Sequence, residues 1–471
     1  MGMDREEKVY REMVNIVGER YVTIDFFERI NSILDAFPYD LDLDREKIPY
    51  VVVRPGNEGE LCEVMKFANE EDIPIYPRGS GTTFTGASRP SERGIVLNMS
   101  RLNFINIDID DGYFECGPGA TVDSVNNELE KHGFFLPVYP GSRLVASMGG
   151  VISNNTSGHI IDACIGKPAD YVLGLRVVLP TGEILETGTK GLRKPAGTDL
   201  TKFFVGGDGL LGILTLIRMR LVPLRKKAFG IAYFKDAESV AKAVVRMYRE
   251  KAPPPLFMEF MDKGSAEIGF EDAGLPRPPG PVIFFASLGL TEEEALDNIN
   301  KLLDVVRKED PIEVEHIESL EVWQKIWTAR EVIISSLMRK HDGQFTGVEI
   351  VSTLANLVEC IKECEEFPSK DPIFNGVPFY LFGHTGALTF HPTFIIPKSW
   401  DDNLKRKFVD IEFEKETEMN LKYSTCGGEW GQFKKRNLFF EKRYGSFAYE
   451  LVKKMKILFD PKDILNRGVI V

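Results

Sequence analysis

The longest glycine-rich stretch of this 471-residue chain, Pro140–Gly158, has the sequence PGSRLVASMGGVISNNTSG. Two other stretches share its glycine-rich character, PRGSGTTFTG at Pro77–Gly86 and VGGDGLLGI at Val205–Ile213. Because glycine has no Cβ, such segments let backbone N–H groups approach a bound anion, so phosphate binding is one interpretation. Tight turns in a β-rich domain are the alternative interpretation for any one stretch taken alone.

The common nucleotide-binding motifs do not explain these glycines. Gly207, Gly209 and Gly212 satisfy G-x-G-x-x-G, but the following ILTLIRMRLV predicts a strand, whereas a Rossmann site requires a helix there. No acidic residue follows at the ribose-binding distance, and the chain contains no G-K-[ST] of a Walker motif. The sequence therefore offers no recognisable site for NAD or ATP.

Apolar periodicity and punctuation divide the chain into four segments. Residues 1–46 have helical spacing, and residues 47–223 contain short β-branched runs broken by glycine and proline. Residues 224–422 repeat a strand–helix pattern that is typical of a separate α+β domain, and residues 423–471 are again helical. We therefore expect an α+β protein with these limits.

Composition excludes several classes of function. The chain has 58 Lys and Arg against 71 Asp and Glu, a net charge of −13, which argues against nucleic-acid and anionic-membrane partners. No apolar run of bilayer-spanning length occurs, and the acidic start lacks the apolar core of a signal peptide. Six scattered cysteines suit a reducing compartment. We expect a cytoplasmic protein that does not span a membrane.

Five motifs in a fixed order resemble the FAD-binding domain of the vanillyl alcohol oxidase-type flavoproteins. They are PRGSGTTFTG, PVYPGS, SMGGVISNNTSG, DYVLGLRVVLPTGEILETG and KPAGTDLTKFFVGGDGLLGI. The chain is most similar to the branch that contains the glycolate oxidase flavoprotein subunit, D-lactate dehydrogenase and D-2-hydroxyglutarate dehydrogenase. The resemblance implies a two-part FAD-binding domain, completed by the C-terminal segment, and an antiparallel-sheet substrate domain, the cap. Gly207–Leu210 and Thr198 depart from the family's Ser-Glu-Gly-Thr and Tyr, which we do not expect to abolish flavin binding.

The same resemblance implies where the FAD lies. Its pyrophosphate is expected on the backbone of Arg78–Thr83, its ring on the second glycine-rich stretch, and its adenosine half beside Ile213. The expected cofactor-binding residues are Pro77, Arg78, Gly79, Ser80, Gly81, Thr82, Thr83, Pro140, Gly141, Ser142, Ser147, Gly149, Gly150, Asn154, Thr156, Ser157, Gly158, Gly212 and Ile213. We expect non-covalent FAD, although some members of the wider fold attach it through a histidine, and His159 directly follows the ring-lining stretch.

Two histidines and a glutamate form a candidate metal set. His384 and His391 lie seven residues apart, and Glu429 of CGGEWGQF is a third candidate ligand. Spacing alone leaves open that they are ordinary core or surface residues. In the similar family branch, however, matching residues hold a divalent metal, here expected to be Zn, Fe or Mn, which binds the substrate's hydroxyl and carboxylate. The family's next histidine, assigned as the base, is Trp430 in this chain, and indole cannot accept a proton.

The expected substrate half retains one cationic anchor and loses another. WTARE at Trp327–Glu331 resembles the family's Trp-x-x-Arg-Glu, whose arginine grips the substrate carboxylate, although Arg330 pairing with a glutamate on its own helix is the alternative. FTGVEIVS aligns with a family stretch of Lys-x-Asp type, in which the substrate-binding lysine corresponds to Gly347 and the aspartate to Glu349. The expected catalytic residues are therefore Arg330, His384, His391, Glu429 and Trp430.

The resemblance implies an FAD-dependent oxidoreductase that oxidises a D-lactate-like or glycolate-like 2-hydroxy acid by hydride transfer to flavin N5. Two alternatives stay open: metal-free oxidation of a phenolic or other alcohol, favoured by Trp430 and other rings, and a flavoprotein relay subunit of a larger complex. No cluster-binding cysteine run occurs, so electrons would pass to a partner protein, a quinone or oxygen. A homodimer is the expected assembly.

Overall fold

The amino-terminal part of the computed structural model builds a small sheet flanked by helices. The structure describes residues 4–36, 45–84, 86–156, 158–193, 197–423 and 437–468. The first elements are α1 (Arg5–Val17), β1 (Val22–Thr23), α2 (Phe26–Ser32), β2 (Val51–Val53), α3 (Glu58–Glu70), β3 (Ile75–Arg78) and β4 (Ile95–Asn98). The strand order is β1-β2-β4-β3, with β2, β4 and β3 parallel to one another. All of β2 is buried, as expected for a β-branched run covered on both faces.

A second, antiparallel sheet follows and carries the middle glycine-rich stretch. Its part of the chain contains β5 (Ile105–Asp108), β6 (Tyr113–Cys116), α4 (Val122–Glu130), β7 (Phe134–Phe135), α5 (Met148–Asn154), α6 (Asp162–Ile165), α7 (Pro168–Tyr171), β8 (Val172–Val178), β9 (Ile184–Gly188), α8 (Thr201–Phe204), β10 (Ile213–Arg220) and β11 (Val222–Pro223). The order is β5-β6-β10-β8-β9, while β7 and β11 form a separate ribbon. A strand, β10, directly follows Gly212, so the G-x-G-x-x-G match is not a Rossmann site.

The cap is a large antiparallel sheet with helices packed on it. Its elements are β12 (Lys226–Tyr233), α9 (Ala237–Arg249), β13 (Phe257–Met261), α10 (Lys263–Asp272), β14 (Val282–Gly289), α11 (Glu292–Arg307), β15 (Glu313–Ile317), α12 (Leu320–Glu331), α13 (Ile333–His341), β16 (Gly343–Gly347), β17 (Ile350–Val351), α14 (Leu357–Glu365), β18 (Phe379–Gly383), β19 (Thr389–Pro397) and α15 (Asp402–Tyr423). The order is β15-β12-β14-β13-β18-β19-β16, and β17 pairs with β19. Helices and antiparallel sheets in this arrangement confirm the expected fold class. The expected domain limits stay predictions.

The cap sequence indicated one helix around residues 318–339, and the structure has two. Helix α12 ends at Glu331 and α13 begins at Ile333, with Val332 between them at φ −92° and ψ 4°. Arg330 is buried at the end of α12, and the break at Val332 separates it from α13. No proline or glycine marks this point, so the local sequence carries no signal for it.

The last described segment returns to the first sheet. It contains α16 (Asn437–Tyr444) and α17 (Ser446–Phe459). Beyond them, Ile75 N donates to Ile464 O at 2.7 Å and Asn466 N donates to Ile75 O at 2.9 Å. Residues after the cap therefore complete the sheet that begins before it. Within the described residues, no helix combines the length and apolar character that crossing a bilayer requires.

Candidate active site

One large cavity, with a volume of about 650 Å³, collects the glycine-rich stretches and residues of the cap. Every predicted cofactor residue that the structure describes lines this cavity: Pro77–Thr83, Pro140, Gly141, Ser142, Ser147, Gly149, Gly150, Asn154, Thr156, Gly158, Gly212 and Ile213. Ser157 lies outside the described residues. Residues far apart in sequence thus form one wall, as expected of a binding site for a single extended ligand.

Glycine is required at several points because backbone or side chains approach too closely for a Cβ. At Gly149 a Cβ would lie 2.7 Å from Pro118 Cβ, and at Gly158, where φ is +69°, it would lie 2.3 Å from Tyr139 O. Gly150 differs, since the nearest atom to its Cβ position is Ser147 Oγ at 3.5 Å. The wall here is therefore mostly backbone and small side chains, which suits the packing of a flat ring system.

The first glycine-rich stretch lies in the loop after β3 and is tied to the second. The Ser80 hydroxyl donates to Val145 O, which joins the two stretches on the cavity wall. Arg78 lies at this end of the cavity and donates from Nη1 to Ser32 O at 3.1 Å. Burial lowers the pKa of Arg78, while the negative charge of Asp35 opposes that shift. A cation beside a glycine-rich loop fits the diphosphate of FAD.

The cap closes the other end of the cavity with a hairpin and a helix. His384 follows β18 and His391 lies on β19, so the turn between these strands brings their rings to 5.2 Å between centroids. Arg330 reaches the cavity from α12, and His159 reaches it from the end of the second glycine-rich stretch. The three predicted site residues that the structure describes in the cap, Arg330, His384 and His391, therefore lie together. Glu429 and Trp430 lie outside the described residues.

A buried carboxylate from β13 connects three of these side chains. Glu259 Oε1 lies 2.7 Å from Nδ1 of His384 and 3.1 Å from Nδ1 of His159. Its other oxygen, Oε2, lies 2.9 Å from Nε of Arg330. The first contact is a hydrogen bond. Glu259 itself has no exposed surface.

The protonation states at this end follow from burial and from these contacts. Burial alone would raise the pKa of Glu259, but His384, His159 and Arg330 outweigh burial and hold that pKa well below its usual range. Burial lowers the pKa of His159 to about 4, against the opposing charge of Glu259. Burial, with His384 and Arg330, also lowers the pKa of His391 well below its usual range. Near neutral pH the site thus contains an ionised Glu259 and neutral His159 and His391 rings.

Arg330 forms its ion pair with Glu259 of β13 and not with a glutamate of its own helix, α12. Its guanidinium carbon lies 4.9 Å from the centroid of the Phe382 ring, and its ion pair is with Glu259. The neighbouring Glu331 instead pairs with Arg143 of the second glycine-rich stretch. The alternative of a helix-internal pair is therefore wrong for Arg330, and the Arg143–Glu331 pair links the two walls of the cavity.

Sequence reasoning missed Glu259 and the contact that His159 makes with it. The available signal was FMEFM, in which one acidic residue interrupts a strand that is buried throughout. A carboxylate in such a position requires a cationic or hydrogen-bonding partner inside the protein. The partners themselves come from α12, from the end of β18 and from the loop at His159, so the strand alone does not identify them.

The ligand atoms of His159, Glu259 and His384 lie within 4.8 Å of one another, which is compact enough for a metal ion. The same carboxylate already contacts the Arg330 guanidinium, whose charge disfavours a second cation. The predicted set of His384, His391 and Glu429 brings two imidazoles to the cavity wall, and its third member is not described.

Comparison with known proteins agrees with this geometry. The family model described as FAD binding domain matches residues 49–188, and that described as FAD linked oxidases, C-terminal domain, matches residues 224–470. The glycolate oxidase subunit GlcD of Bacillus subtilis is 30% identical over 451 residues, which cover 94% of this chain and 93% of the relative. A D-lactate dehydrogenase of Archaeoglobus fulgidus is 27% identical over 467 residues, which cover 95% of this chain and 99% of the relative.

Solved structures show the same fold at low identity. p-Cresol methylhydroxylase with substrate bound superposes with a TM-score of 0.79 at 16% identity, covering 99% of this chain and 97% of that one. A 4-ethylphenol oxidase from Gulosibacter chungangensis gives 0.77 at 16% identity, covering 100% of this chain and 98% of that one. From its glycine-lined cavity, its cap and these matches, the chain belongs to the FAD-linked oxidases and is a flavin-dependent oxidoreductase.

Proposed function

We propose that this protein oxidises a small 2-hydroxy acid, with Arg330 binding the substrate carboxylate. The observation that carries the proposal is the position of Arg330, which lines the same cavity as His384 and His391 and contacts the carboxylate that also holds His384. The names of the two relatives, a glycolate oxidase subunit and a D-lactate dehydrogenase, support the same substrate class. FAD, when bound along the glycine-lined wall, supplies the hydride acceptor.

The guanidinium of Arg330 is suited to a carboxylate because its donors form a planar fork. Phe382 packs near one face of the guanidinium, and Glu259 approaches its Nε. Arg330 is only 6% exposed, so water competes weakly for its donors. A charge-assisted contact in this setting is worth about 1.5–3 kcal/mol.

We propose that His384, His391 and Glu429 hold one divalent ion, Zn, Fe or Mn, next to the substrate hydroxyl. The two imidazoles are buried at the cavity wall, and the low pKa of His391 keeps that ring in the neutral form that metal binding requires. A metal there supplies Lewis acidity. Trp430 replaces the family's base. A neutral imidazole that lines the cavity and does not bind the metal is therefore the group available to accept the hydroxyl proton.

In addition to these groups and to Glu331 and Ser335, the cap lines the cavity with apolar residues. Phe345, Phe382, Ile333 and Ile334 line it, and Gly347, at the position of the family's lysine, is buried in β16. This wall fits a short or apolar side chain on the acid. It also favours the second candidate function, oxidation of a phenolic alcohol without metal, because aromatic rings pack well on such walls.

An anaerobic reduction assay tests the proposal. Holoprotein is mixed separately with D-lactate, glycolate, D-2-hydroxyglutarate and vanillyl alcohol, and flavin absorbance is followed at about 450 nm. Bleaching by a 2-hydroxy acid, with metal in a one-to-one ratio, is the expected result. Bleaching by vanillyl alcohol alone, without metal, would support the second candidate instead. Bleaching by none of the four compounds would refute both.

The variant His384→Ala separates the proposed roles. It is expected to lower metal content and the rate of reduction together while leaving FAD bound, because His384 lies at the cap end and not on the glycine-lined wall. Loss of FAD in this variant would contradict that placement.

We further propose that a partner protein or a quinone accepts the electrons, and that the protein works as a homodimer in the cytoplasm.

A further inference from the structure

Glu259 stands behind the cavity wall rather than in it. The residues His159, Arg330 and His384 all line the cavity, and all three contact Glu259, which does not line it. Its side chain has no exposed surface, so substrate in the cavity meets its three partners first. A group in this position acts on a ligand only through the side chains that it holds.

The contact with Arg330 restricts how the guanidinium can turn. Glu259 approaches it at Nε, the nitrogen nearest the backbone, at 2.9 Å. The Phe382 ring lies 4.9 Å from the guanidinium carbon and limits movement on one side. The two terminal amino groups extend beyond the Nε contact, and these are the donors that a bidentate carboxylate complex uses.

The contact with His384 restricts a second ring. A hydrogen bond of 2.7 Å joins Nδ1 to Oε1, and because a carboxylate accepts, Nδ1 is the donor. This arrangement fixes both the tautomer and the ring orientation of His384, in the way that outer carboxylates fix ligating or catalytic histidines. One carboxylate therefore orients an imidazole and a guanidinium at the same time.

We propose that Glu259 is a positioning residue: its carboxylate holds Arg330 in the orientation that receives the carboxylate of a 2-hydroxy acid, and it fixes the orientation of His384 on the side of the substrate hydroxyl. The inference rests on the proposed function, since it assigns Arg330 to the substrate carboxylate. It predicts that Glu259 contributes to substrate binding without touching substrate, and that the part of this contribution exerted through Arg330, the larger part, disappears once Arg330 is removed.

A non-reactive acid tests this directly. 2-Hydroxyisobutyrate retains the carboxylate and hydroxyl but has no hydrogen on Cα, so it binds without being oxidised. Its dissociation constant is measured by calorimetry in the holoprotein for the wild type, Glu259→Gln, Arg330→Met and the double variant. Loss of a charge-assisted contact predicts about ten- to hundredfold weaker binding in each single variant. The double variant should bind within about threefold of Arg330→Met, because coupled residues are not additive.

A control separates this role from the general effect of replacing a buried glutamate side chain by glutamine. Glu412 on α15 is equally buried, accepts from the Thr346 hydroxyl and does not line the cavity. Glu412→Gln should therefore bind the probe like the wild type. Three results would each overturn the positioning role. Glu259→Gln could bind the probe as tightly as the wild type, the affinity losses of the single variants could multiply in the double variant, or Glu412→Gln could lose as much affinity as Glu259→Gln.

The positioning role can still be tested if Glu259→Gln does not fold correctly. If Glu259→Gln lacks a wild-type flavin spectrum, Glu259→Asp replaces it in the cycle, because it keeps the charge but withdraws it by about one methylene. Aspartate should give a smaller loss with the same coupling to Arg330, and full wild-type affinity in it would refute the role. If the wild-type protein neither binds the probe nor is reduced by any hydroxy acid, the proposed function itself fails. If the wild type binds the probe and is reduced by a hydroxy acid, but the substitution at Glu259 leaves probe affinity unchanged, only the role assigned to Glu259 is refuted.

Discussion

Replacing Gly150 with alanine should make the polypeptide more stable and weaken its hold on FAD. Gly150 lies in α5 and lines the cavity. A Cβ there meets Ser147 Oγ at 3.5 Å, an ordinary contact distance, so the fold accommodates it. Alanine within a helix is favoured over glycine by about 0.5–1 kcal/mol. The apoprotein of Gly150→Ala is therefore expected to unfold at a higher urea concentration than the wild type.

The same methyl group occupies space on the wall that we propose to contact the flavin ring. Adding a methyl group to a tight contact costs about 1–3 kcal/mol, which corresponds to about five- to 150-fold in the dissociation constant. This cost arises only when FAD is bound, whereas the helix gain is present without it. Stability and cofactor affinity should thus change in opposite directions.

Two measurements on the same preparation check this prediction. Apoprotein is unfolded in urea, and separately titrated with FAD while flavin fluorescence is followed. Unchanged FAD affinity together with a more stable apoprotein would show that the ring does not pack on α5, and would refute the placement. The neighbouring Gly149→Ala is the comparison, because its Cβ would lie 2.7 Å from Pro118 Cβ and 3.0 Å from Pro118 O, and it should lower apoprotein stability.

Three further outcomes are expected. Arg330→Lys, which keeps the charge but loses the fork, should raise KM for the preferred acid about tenfold or more in steady-state assays, with a smaller change in kcat. D-2-Hydroxyglutarate should have a lower kcat/KM than D-lactate, because Gly347 stands at the family's lysine position; the opposite order in a side-by-side assay would contradict this. Burial raises the pKa of Glu412 well above its usual range, with Glu416 adding to the shift and Thr346 opposing it. A carboxyl with a raised folded-state pKa stabilises the fold fully below about pH 4.5 and loses that contribution at up to about 1.4 kcal/mol per pH unit as pH rises. Glu412→Gln lacks this slope, so urea unfolding at pH 5 and pH 8 should show its stability improving relative to the wild type at the higher pH.

The fold class and the gathering of the glycine-rich stretches could be predicted because their signals are local. Close approaches such as those at Gly149 and Gly158 leave a mark on the sequence, since only glycine fits. The His384–His391 hairpin is also visible as a spacing within one short segment. The glycines of each stretch, and the two histidines, are close together along the chain, so the motifs are legible even though the atoms that crowd Gly149 and Gly158 belong to Pro118 and Tyr139.

The contacts of Glu259 could not be predicted, because they depend on how separate elements meet. The strand β13 shows one acidic residue among apolar ones, but its partners come from α12, from the end of β18 and from His159. The division of α12 from α13 at Val332 likewise has no local breaker. Tertiary packing decides both, and a single sequence records packing only indirectly.

The pairing of Ile464–Asn466 with Ile75 has a consequence for the way the protein is made. Asn466 lines the cavity, and its side chain donates to Gly209 O at 3.2 Å, so the cavity is completed by residues translated after the whole cap. At about 5–20 residues per second, a ribosome needs roughly 10–50 seconds between the last glycine-rich stretch and this segment. During that interval the backbone groups of Ile75 in β3 lack their hydrogen-bond partners in Ile464–Asn466. If FAD binds in this cavity as proposed, we expect flavin loading to be a late event in biogenesis, so that the yield of holoprotein depends on flavin supply when synthesis ends rather than when it begins.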